Sequence, residues 1–178
     1  MTQAWRNRLI GLALAVVIYG LDRWIKGLVL GPWNLRAVGK IDLLPFFDLT
    51  WTQNFGVSLG LFEATSVEAR WILVAVTGLI ALIVFIWLLR ERNLGEIGGL
   101  ALILGGALGN IHDRFRWGYV IDYADFHIGS FRPFLIFNVA DAAITIGVLI
   151  ILARALFMRE KPPAPQGDDL ADKPAETF

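Results

Sequence analysis

The chain has 178 residues, of which 56% are hydrophobic, and its mean hydropathy is +0.60. These values exceed those of a soluble domain and indicate one membrane-embedded domain. The 16 Lys and Arg balance the 16 Asp and Glu, which argues against nucleic-acid binding. The absence of cysteine excludes disulfides, a thiol nucleophile and Cys-ligated metal, and two histidines argue against a His-rich metal site.

Four apolar segments predict four transmembrane helices, at 9–30, 71–89, 97–111 and 137–157. The second is the clearest, because it is uncharged from end to end. The first carries Asp22, Arg23 and Lys26. Arg6 and Arg8 precede its apolar part, as in a cleaved signal peptide, but no A-x-A site follows. We therefore expect the first helix to be retained.

The stretch 31–66 between the first two helices predicts a small β element. In FDLTWTQ, 47–53, apolar and polar residues alternate with the period of a half-exposed strand. Thr65 and Glu68 have the spacing of a capping box that would start the second helix. The predicted fold class is an all-α membrane protein of four transmembrane helices, with an extracytoplasmic β element between helices 1 and 2.

The domain boundary falls near residue 160. Residues 1–160 are expected to form a single membrane-embedded domain. The Pro-rich, polar tail 161–178 cannot bury a core and is predicted to be disordered and cytoplasmic. Arg and Lys residues number six on each side of the predicted membrane, so charge alone does not set the orientation. Arg6 and Arg8 directly before the first helix favour cytoplasmic termini.

Two aspartates are the most informative residues, because a carboxylate at membrane depth marks a functional site by default. Asp122 lies in GYVIDYADF and Asp141 in FNVADAAITIG. If they meet, they can share one proton and activate water. Asp125 follows Asp122 by three residues, and spacing alone does not choose between them. A simpler role for Asp141 is to cap its helix with Asn138.

The other polar motifs each allow a structural role. Asp22 and Lys26 share one helix face and can form a simple ion pair. The turn at Asn54 and Gly56 can serve backbone geometry alone. Close helix packing would explain Gly105, Gly106 and Gly109. An interfacial cluster or a peptide-positioning site would explain Asn110, His112, Asp113 and Arg114. No role is assigned to His127.

Taken together, these motifs resemble lipoprotein signal peptidase, or signal peptidase II. The matching stretches, in the family's order over about 20–145, are DRWIK at 22–26, TQNFG at 52–56, GGALGNIHDR at 105–114, GYVIDY at 118–123 and FNVAD at 137–141. Each stretch is weak alone, and the five in order are specific.

The resemblance implies an aspartic endopeptidase of the bacterial inner membrane. It would remove signal peptides from prolipoproteins, just before a diacylglyceryl-modified cysteine, without a cofactor or metal. Its partners would be that substrate and membrane lipid, and its active site would lie at the extracytoplasmic face. By motif, Asp122 rather than Asp125 pairs with Asp141 as the catalytic residues. The implied site-lining residues are Asn54, Gly56, Asn110, Asp113, Arg114, Asn138 and Ala140, and the implied structural supports are Asp22 and Lys26.

The sequence departs from the family's pattern at a few places. Arg23 and Trp24 stand where small polar residues are frequent, Ser58-Leu59 replaces Ala-Phe, and Tyr123 replaces Phe. Two other functions compete from the residues alone: a proton- or cation-coupled transporter, and a non-catalytic scaffold. Transport would favour polar residues along whole helices, whereas here they gather toward one end. A scaffold would not need two costly aspartates.

Overall fold

The computed structural model describes residues 1–56 and 66–157. The helices are α1 (Gln3–Leu30), α2 (Leu35–Val38), α3 (Val67–Arg90), α4 (Leu94–Trp117) and α5 (Val139–Phe157). The strands are β1 (Lys40–Leu44), β2 (Phe47–Asn54) and β3 (Val120–Phe126). The predicted disordered tail and the Ser58-Leu59 departure lie outside the described residues, so those predictions stay as they were.

Three helices in the described part of the chain, α3, α4 and α5, are long and apolar enough to cross a membrane. Helices α3 and α4 each contain one of the predicted apolar segments, and α5 begins two residues after the start of the fourth. The long helix α1 covers the first predicted segment and starts six residues earlier, where the Thr2 side chain accepts a hydrogen bond from the Trp5 N–H at 3.4 Å. That α1 also crosses the membrane stays a prediction.

Helix α4 lies at the centre of the bundle and packs against α1, α3 and α5. Its glycines permit this, as predicted. A Cβ at Gly105 would lie 2.6 Å from the Ala15 carbonyl oxygen, and one at Gly109 would lie 2.7 Å from Asp22 Oδ2. A Cβ at Gly106 would collide with the Ala140 carbonyl. Small residues therefore bring the backbones of α1 and α5 close to α4.

The bundle has two distinct ends. At one end, Asn7 Nδ2 donates to the Arg92 carbonyl and Arg8 Nε to the Glu91 carbonyl, both at 2.9 Å. This places the start of α1 beside the α3–α4 connection, as the predicted topology requires. At the other end, Val29 and Leu35 pack with Leu49, Ile121 and other residues of the sheet in a small apolar core.

The sheet is antiparallel with strand order β1-β2-β3. Strand β2 confirms the strand predicted from FDLTWTQ. The β element is not confined to the region between helices 1 and 2, however, because β3 follows α4. This corrects the predicted arrangement. Strand β2 also carries one extra residue between the pairs Leu49–Ala124 and Thr52–Asp122, which is a β-bulge directly beside Asp122.

The start of α3 differs from the predicted capping box. Ser66, not Thr65, is the N-cap, and its side chain accepts from the Ala69 N–H at 3.1 Å. Four residues on, Arg70 donates to the carbonyl of Arg114 at 2.7 Å and to that of Phe115. These carbonyls belong to the last turn of α4, where that of Arg114 also accepts from the Gly118 N–H at 3.1 Å. Arg70 thus ties the beginning of α3 to the end of α4.

Candidate active site

Strand β3 carries Asp122 into the interior between the sheet and the helices. Its side chain is 1% exposed. Asn54 Nδ2 donates to Asp122 Oδ2 at 3.0 Å, and Asn54 Oδ1 accepts from the Gly56 N–H at 3.1 Å. Asn54 therefore shapes its own turn and also orients the aspartate. The structural role predicted for this turn is present, and its role in the site stays a prediction.

Asp141 stands in the first turn of α5, in a reciprocal cap with Asn138. The Asp141 N–H donates to Asn138 Oδ1 at 2.9 Å, and the Asn138 N–H donates to Asp141 Oδ2 at 3.4 Å. The capping role considered from the sequence is thus present. It uses one carboxylate oxygen, and Asn110 Nδ2 donates to the other at 2.7 Å.

Asn138 links the two aspartates. Its Nδ2 donates to Asp122 Oδ1 at 2.6 Å while its Oδ1 holds the Asp141 backbone. The same amide lies 3.3 Å from Asn110 Oδ1, and Asn138 is fully buried. The two aspartates therefore belong to one continuous hydrogen-bond network, contributed by β2, β3, α4 and α5.

Burial, and after it the charge of Asp141, raise the pKa of Asp122 to about 7. Hydrogen bonds from Asn54 and Asn138 act in the opposite direction, because they stabilise the ionised form. The balance keeps the Asp122 carboxyl protonated close to neutral pH. A neighbouring pair in which one member is protonated and the other ionised can act as acid and base together.

Asp125 lies on the other face of β3, since odd spacing along a strand reverses the side chain. It pairs with Arg132 Nε at 2.9 Å and accepts from Thr50 Oγ1 at 3.1 Å. The Arg132 hydrogen bond holds the pKa of Asp125 below its usual value. His127, to which the sequence assigned no role, contacts Asp48 at 2.7 Å. Neither residue joins the network of Asp122 and Asp141.

Arg114 reaches back to the turn after β2. Its Nη2 donates to the Gly56 carbonyl at 2.7 Å, and the side chain is largely buried. Arg114 and Gly56, both predicted to line the site, are therefore in direct contact. Ala140 is buried beside Asp141, and its N–H donates to Asp22 Oδ1 at 3.3 Å.

A second buried group of charges lies next to the aspartates. Lys26 Nζ is 3.0 Å from Asp22 Oδ2 and 2.6 Å from Asp113 Oδ2. The predicted Asp22–Lys26 pair is thus present, but it extends to Asp113 on α4. Asp113 Oδ2 also accepts from the Ile121 N–H at 3.2 Å. Asp113 supports β3 from behind the site.

Two contributors were not recognised in the sequence. Arg23 joins the buried charges, with Nη2 2.8 Å from Asp22 and 2.7 Å from Asp113. Arg70 holds the end of α4 that bears Arg114. Arg70 stands in the first turn of α3 and Arg23 about two turns before the end of α1. A snorkelling arginine is the ordinary expectation at both places, so sequence pattern gave no signal for either.

Other concave and polar regions lie apart from this network. An open cavity of about 390 Å³ is bordered by β1, β2 and His127, and none of the predicted site residues lines it. Within residues 1–56 and 66–157, no group of three or more histidine or acidic side chains is arranged to hold a metal ion.

Comparison with known proteins agrees across sequence and structure. The family described as signal peptidase (SPase) II matches residues 14–157. The lipoprotein signal peptidase of Sphingopyxis alaskensis is 56% identical over 85% of this chain and 87% of its own. That of Rhizorhabdus wittichii is 51% identical over 91% of this chain and 95% of its own. A solved bacterial membrane enzyme superimposes with a TM-score of 0.72 at 26% identity, covering 83% of this chain and 87% of its own.

Proposed function

The chain belongs to the signal peptidase II family, and on that premise we propose that it removes signal peptides from prolipoproteins as an aspartic endopeptidase. Cleavage falls just before the diacylglyceryl-modified cysteine. Asp122 and Asp141 are the catalytic residues. The observation that carries this assignment is the Asn138 side chain, which contacts Asp122 and caps Asp141 at once.

In the proposed mechanism the two carboxyls share one proton. Two close carboxylates cannot both ionise, so one stays protonated near neutral pH. The ionised carboxylate takes a proton from water, which attacks the scissile carbonyl. The protonated carboxyl donates to the carbonyl oxygen and stabilises the developing negative charge. The raised pKa of Asp122 supports Asp122 as the protonated member at the start of the cycle.

The amide side chains keep the pair ready for this chemistry. Asn54, Asn110 and Asn138 are neutral donors, so they orient both carboxyls without adding a charge that would fix either protonation state. Arg114 stands at the turn containing Gly56, from which an extended substrate backbone can be bound. Arg114 and Gly56 are thus proposed to bind substrate rather than to react.

The site lies at the sheet end of the bundle, which we place at the extracytoplasmic face of the bacterial inner membrane. The termini are then cytoplasmic, because α1 starts at the opposite end. A diacylglyceryl group can stay in the lipid while the peptide enters between the sheet and the helices. Buried polar side chains of the long helices gather near this end, apart from Asn7, which favours a peptidase over a transporter.

The test replaces each acid by its neutral isostere. Asp122→Asn and Asp141→Asn keep size and hydrogen bonding but cannot ionise, so each should lower kcat for a synthetic diacylglyceryl prolipopeptide by at least about 1000-fold. Both variants should stay folded and still bind the substrate. Asp125→Asn is the matched control on the same strand and should cleave at close to the wild-type rate. Cleavage retained in Asp122→Asn and lost in Asp125→Asn would overturn the assignment.

A further inference from the structure

The buried charges behind the aspartates are arranged around two backbone N–H groups. Asp22 Oδ1 accepts from the N–H of Ala140, the residue before Asp141. Asp113 Oδ2 accepts from the N–H of Ile121, the residue before Asp122. Each carboxylate therefore holds the backbone one peptide away from one member of the catalytic pair.

The two carboxylates are in turn joined to each other. Lys26 Nζ contacts both, at 3.0 and 2.6 Å, and Arg23 Nη2 contacts both, at 2.8 and 2.7 Å. Asp22 and Asp113 are fully buried and Lys26 is 1% exposed, while the Arg23 side chain is 20% exposed. Two cations thus balance two anions, so the buried group has no net charge and no acid lacks a partner.

We propose that Asp22, Arg23, Lys26 and Asp113 form a charge clamp that sets the distance and orientation between Asp122 and Asp141. The clamp joins α1 to α4, and its two carboxylates fix α5 and β3 through single backbone hydrogen bonds. Its residues position the catalytic pair and do not touch the substrate. The proposal rests on the assignment of Asp122 and Asp141 as the catalytic residues.

Arg23 gives the clamp a second cation beside Lys26, because its Nη2 also bridges Asp22 and Asp113. Gly109 makes room for the carboxylate that both cations contact, because a Cβ there would lie 2.7 Å from Asp22 Oδ2. A clamp with two bridging cations is stiffer than one with a single lysine, since each carboxylate is held from two directions.

Arg23 offers the cleanest test, because its partial exposure lets it be replaced without stranding a deeply buried cation. Arg23→Gln should lower kcat about tenfold with KM within about twofold, since a shift of about 1 Å in a catalytic group can cost 100-fold. Its melting temperature should fall, because the buried carboxylates of Asp22 and Asp113 are then left with one cation. The rate is therefore measured well below the unfolding temperature of the variant. Arg23→Lys keeps the charge and should restore most of kcat. Arg6→Gln, at the exposed far end of the same helix, is the matched control and should leave kcat unchanged.

The pH dependence gives a readout that a merely structural role would not change. The charged groups that act on the catalytic pair are Lys26 on α1 and Arg114 on α4, and Asp22, Arg23 and Asp113 surround Lys26. Loss of one charge displaces both limbs of the kcat/KM profile together. Loss of the clamp also weakens the coupling between the carboxyls and brings the limbs closer. We expect the acidic and basic limbs of the kcat/KM profile to lie closer together in pH in Arg23→Gln. In Arg23→Lys we expect their wild-type separation.

A second pair of variants tests the backbone hydrogen bond itself. Asp22→Asn keeps an oxygen that accepts from the Ala140 N–H, whereas Asp22→Ala removes it. The Asn variant should therefore retain at least about tenfold more kcat than the Ala variant. An equal loss of kcat in Asp22→Asn and Asp22→Ala would overturn the clamp. So would a loss of kcat in Arg23→Gln that is fully explained by the fraction of unfolded protein. Wild-type activity in the clamp variants with inactive Asp122→Asn refutes the clamp alone, whereas active Asp122→Asn refutes the catalytic assignment.

Discussion

At the scale of single residues, one carboxyl is held in the protonated form by its surroundings. Asp122 is buried between β2, α4 and the start of α5, and its environment raises its pKa to about 7. In the unfolded chain its pKa returns to about 3.8. Between these two values the folded protein binds a proton that the unfolded chain does not, so stability falls as pH rises through this window.

This linkage predicts that Asp122→Asn stabilises the protein at high pH. The variant carries no ionisable group there, so it escapes the cost of charging a buried carboxyl. The gain in the free energy of unfolding should reach about 4 kcal/mol above pH 7 and should vanish near pH 4. Thermal unfolding of the two purified proteins in detergent, at pH 4 to 8, measures it. An Asp122→Asn variant no more stable than the wild type at pH 8 would contradict the raised pKa.

Asp125 supplies the control with the opposite sign. The hydrogen bond from Arg132 lowers the pKa of Asp125. The ionised carboxylate therefore stabilises the folded state at pH values above the pKa of Asp125 in the unfolded chain, and this contribution is lost as the pH falls. Asp125→Asn should therefore lower the melting temperature at pH 7, and the difference should shrink in acid.

The sequence predicted some contacts of single residues in the candidate site and could not predict others. The spacing of Asn138 and Asp141 indicated a helix cap, and the structure contains it. The contact between Asn138 and Asp122 could not be predicted from spacing, because it depends on β3 crossing the start of α5. The motifs of the family indicated that these residues belong together but not which atoms meet.

At the scale of elements, α4 determines how closely the others approach. Gly109→Ala should destabilise the protein and lower activity, because the new Cβ would lie 2.7 Å from Asp22 Oδ2 and push α1 away. Overpacking of this kind costs typically about 1–3 kcal/mol. Melting temperature and kcat of the purified variant measure the two effects.

Gly98→Ala is the matched control on the same helix. Nothing lies within 4 Å of a Cβ at Gly98, so the change should be neutral or should stabilise α4 by up to about 1 kcal/mol through helix propensity. Equal damage from both alanines would mean that the approach of Asp22 to Gly109 does not decide the outcome.

The elements also show where the sequence signal fails. Three apolar spans were evident because apolar runs of this length leave few alternatives in a membrane protein. Strand β3 was missed because residues 120–125 are all buried, so the apolar and polar alternation of a half-exposed strand is absent. Asp122 faces Asn138 on one side of the strand and Asp125 faces Thr50 on the other, and both partners come from other elements of the chain.

At the scale of the whole molecule, the two ends of the bundle predict the topology. The α3–α4 connection and the α1 start lie at one end, and the loop after β3 lies at the other. The chain has no cysteine, so a maleimide reagent can label a single-Cys variant only at the introduced residue. Ser130→Cys should react with a membrane-impermeant maleimide in intact spheroplasts, because we place the sheet end outside.

Arg92→Cys is the counterpart at the opposite end. It is exposed and should react only after the membrane is permeabilised. The reverse pattern, with Arg92→Cys labelled in intact spheroplasts and Ser130→Cys protected, would show that the proposed orientation is wrong while leaving the fold unaffected.

The charge clamp also constrains the order in which the protein is built. Helix α1 leaves the ribosome with Asp22, Arg23 and Lys26, yet Asp113 is synthesised only after α3, and on the order of ten seconds pass at ordinary elongation rates. During that interval Asp22 can neutralise only one of the two cations on α1, so α1 keeps a surplus positive charge. The arrival of α4 with Asp113 removes that surplus. Neutralisation of α1 and attachment of the Asp113 carboxylate to β3 therefore await the same element of the chain.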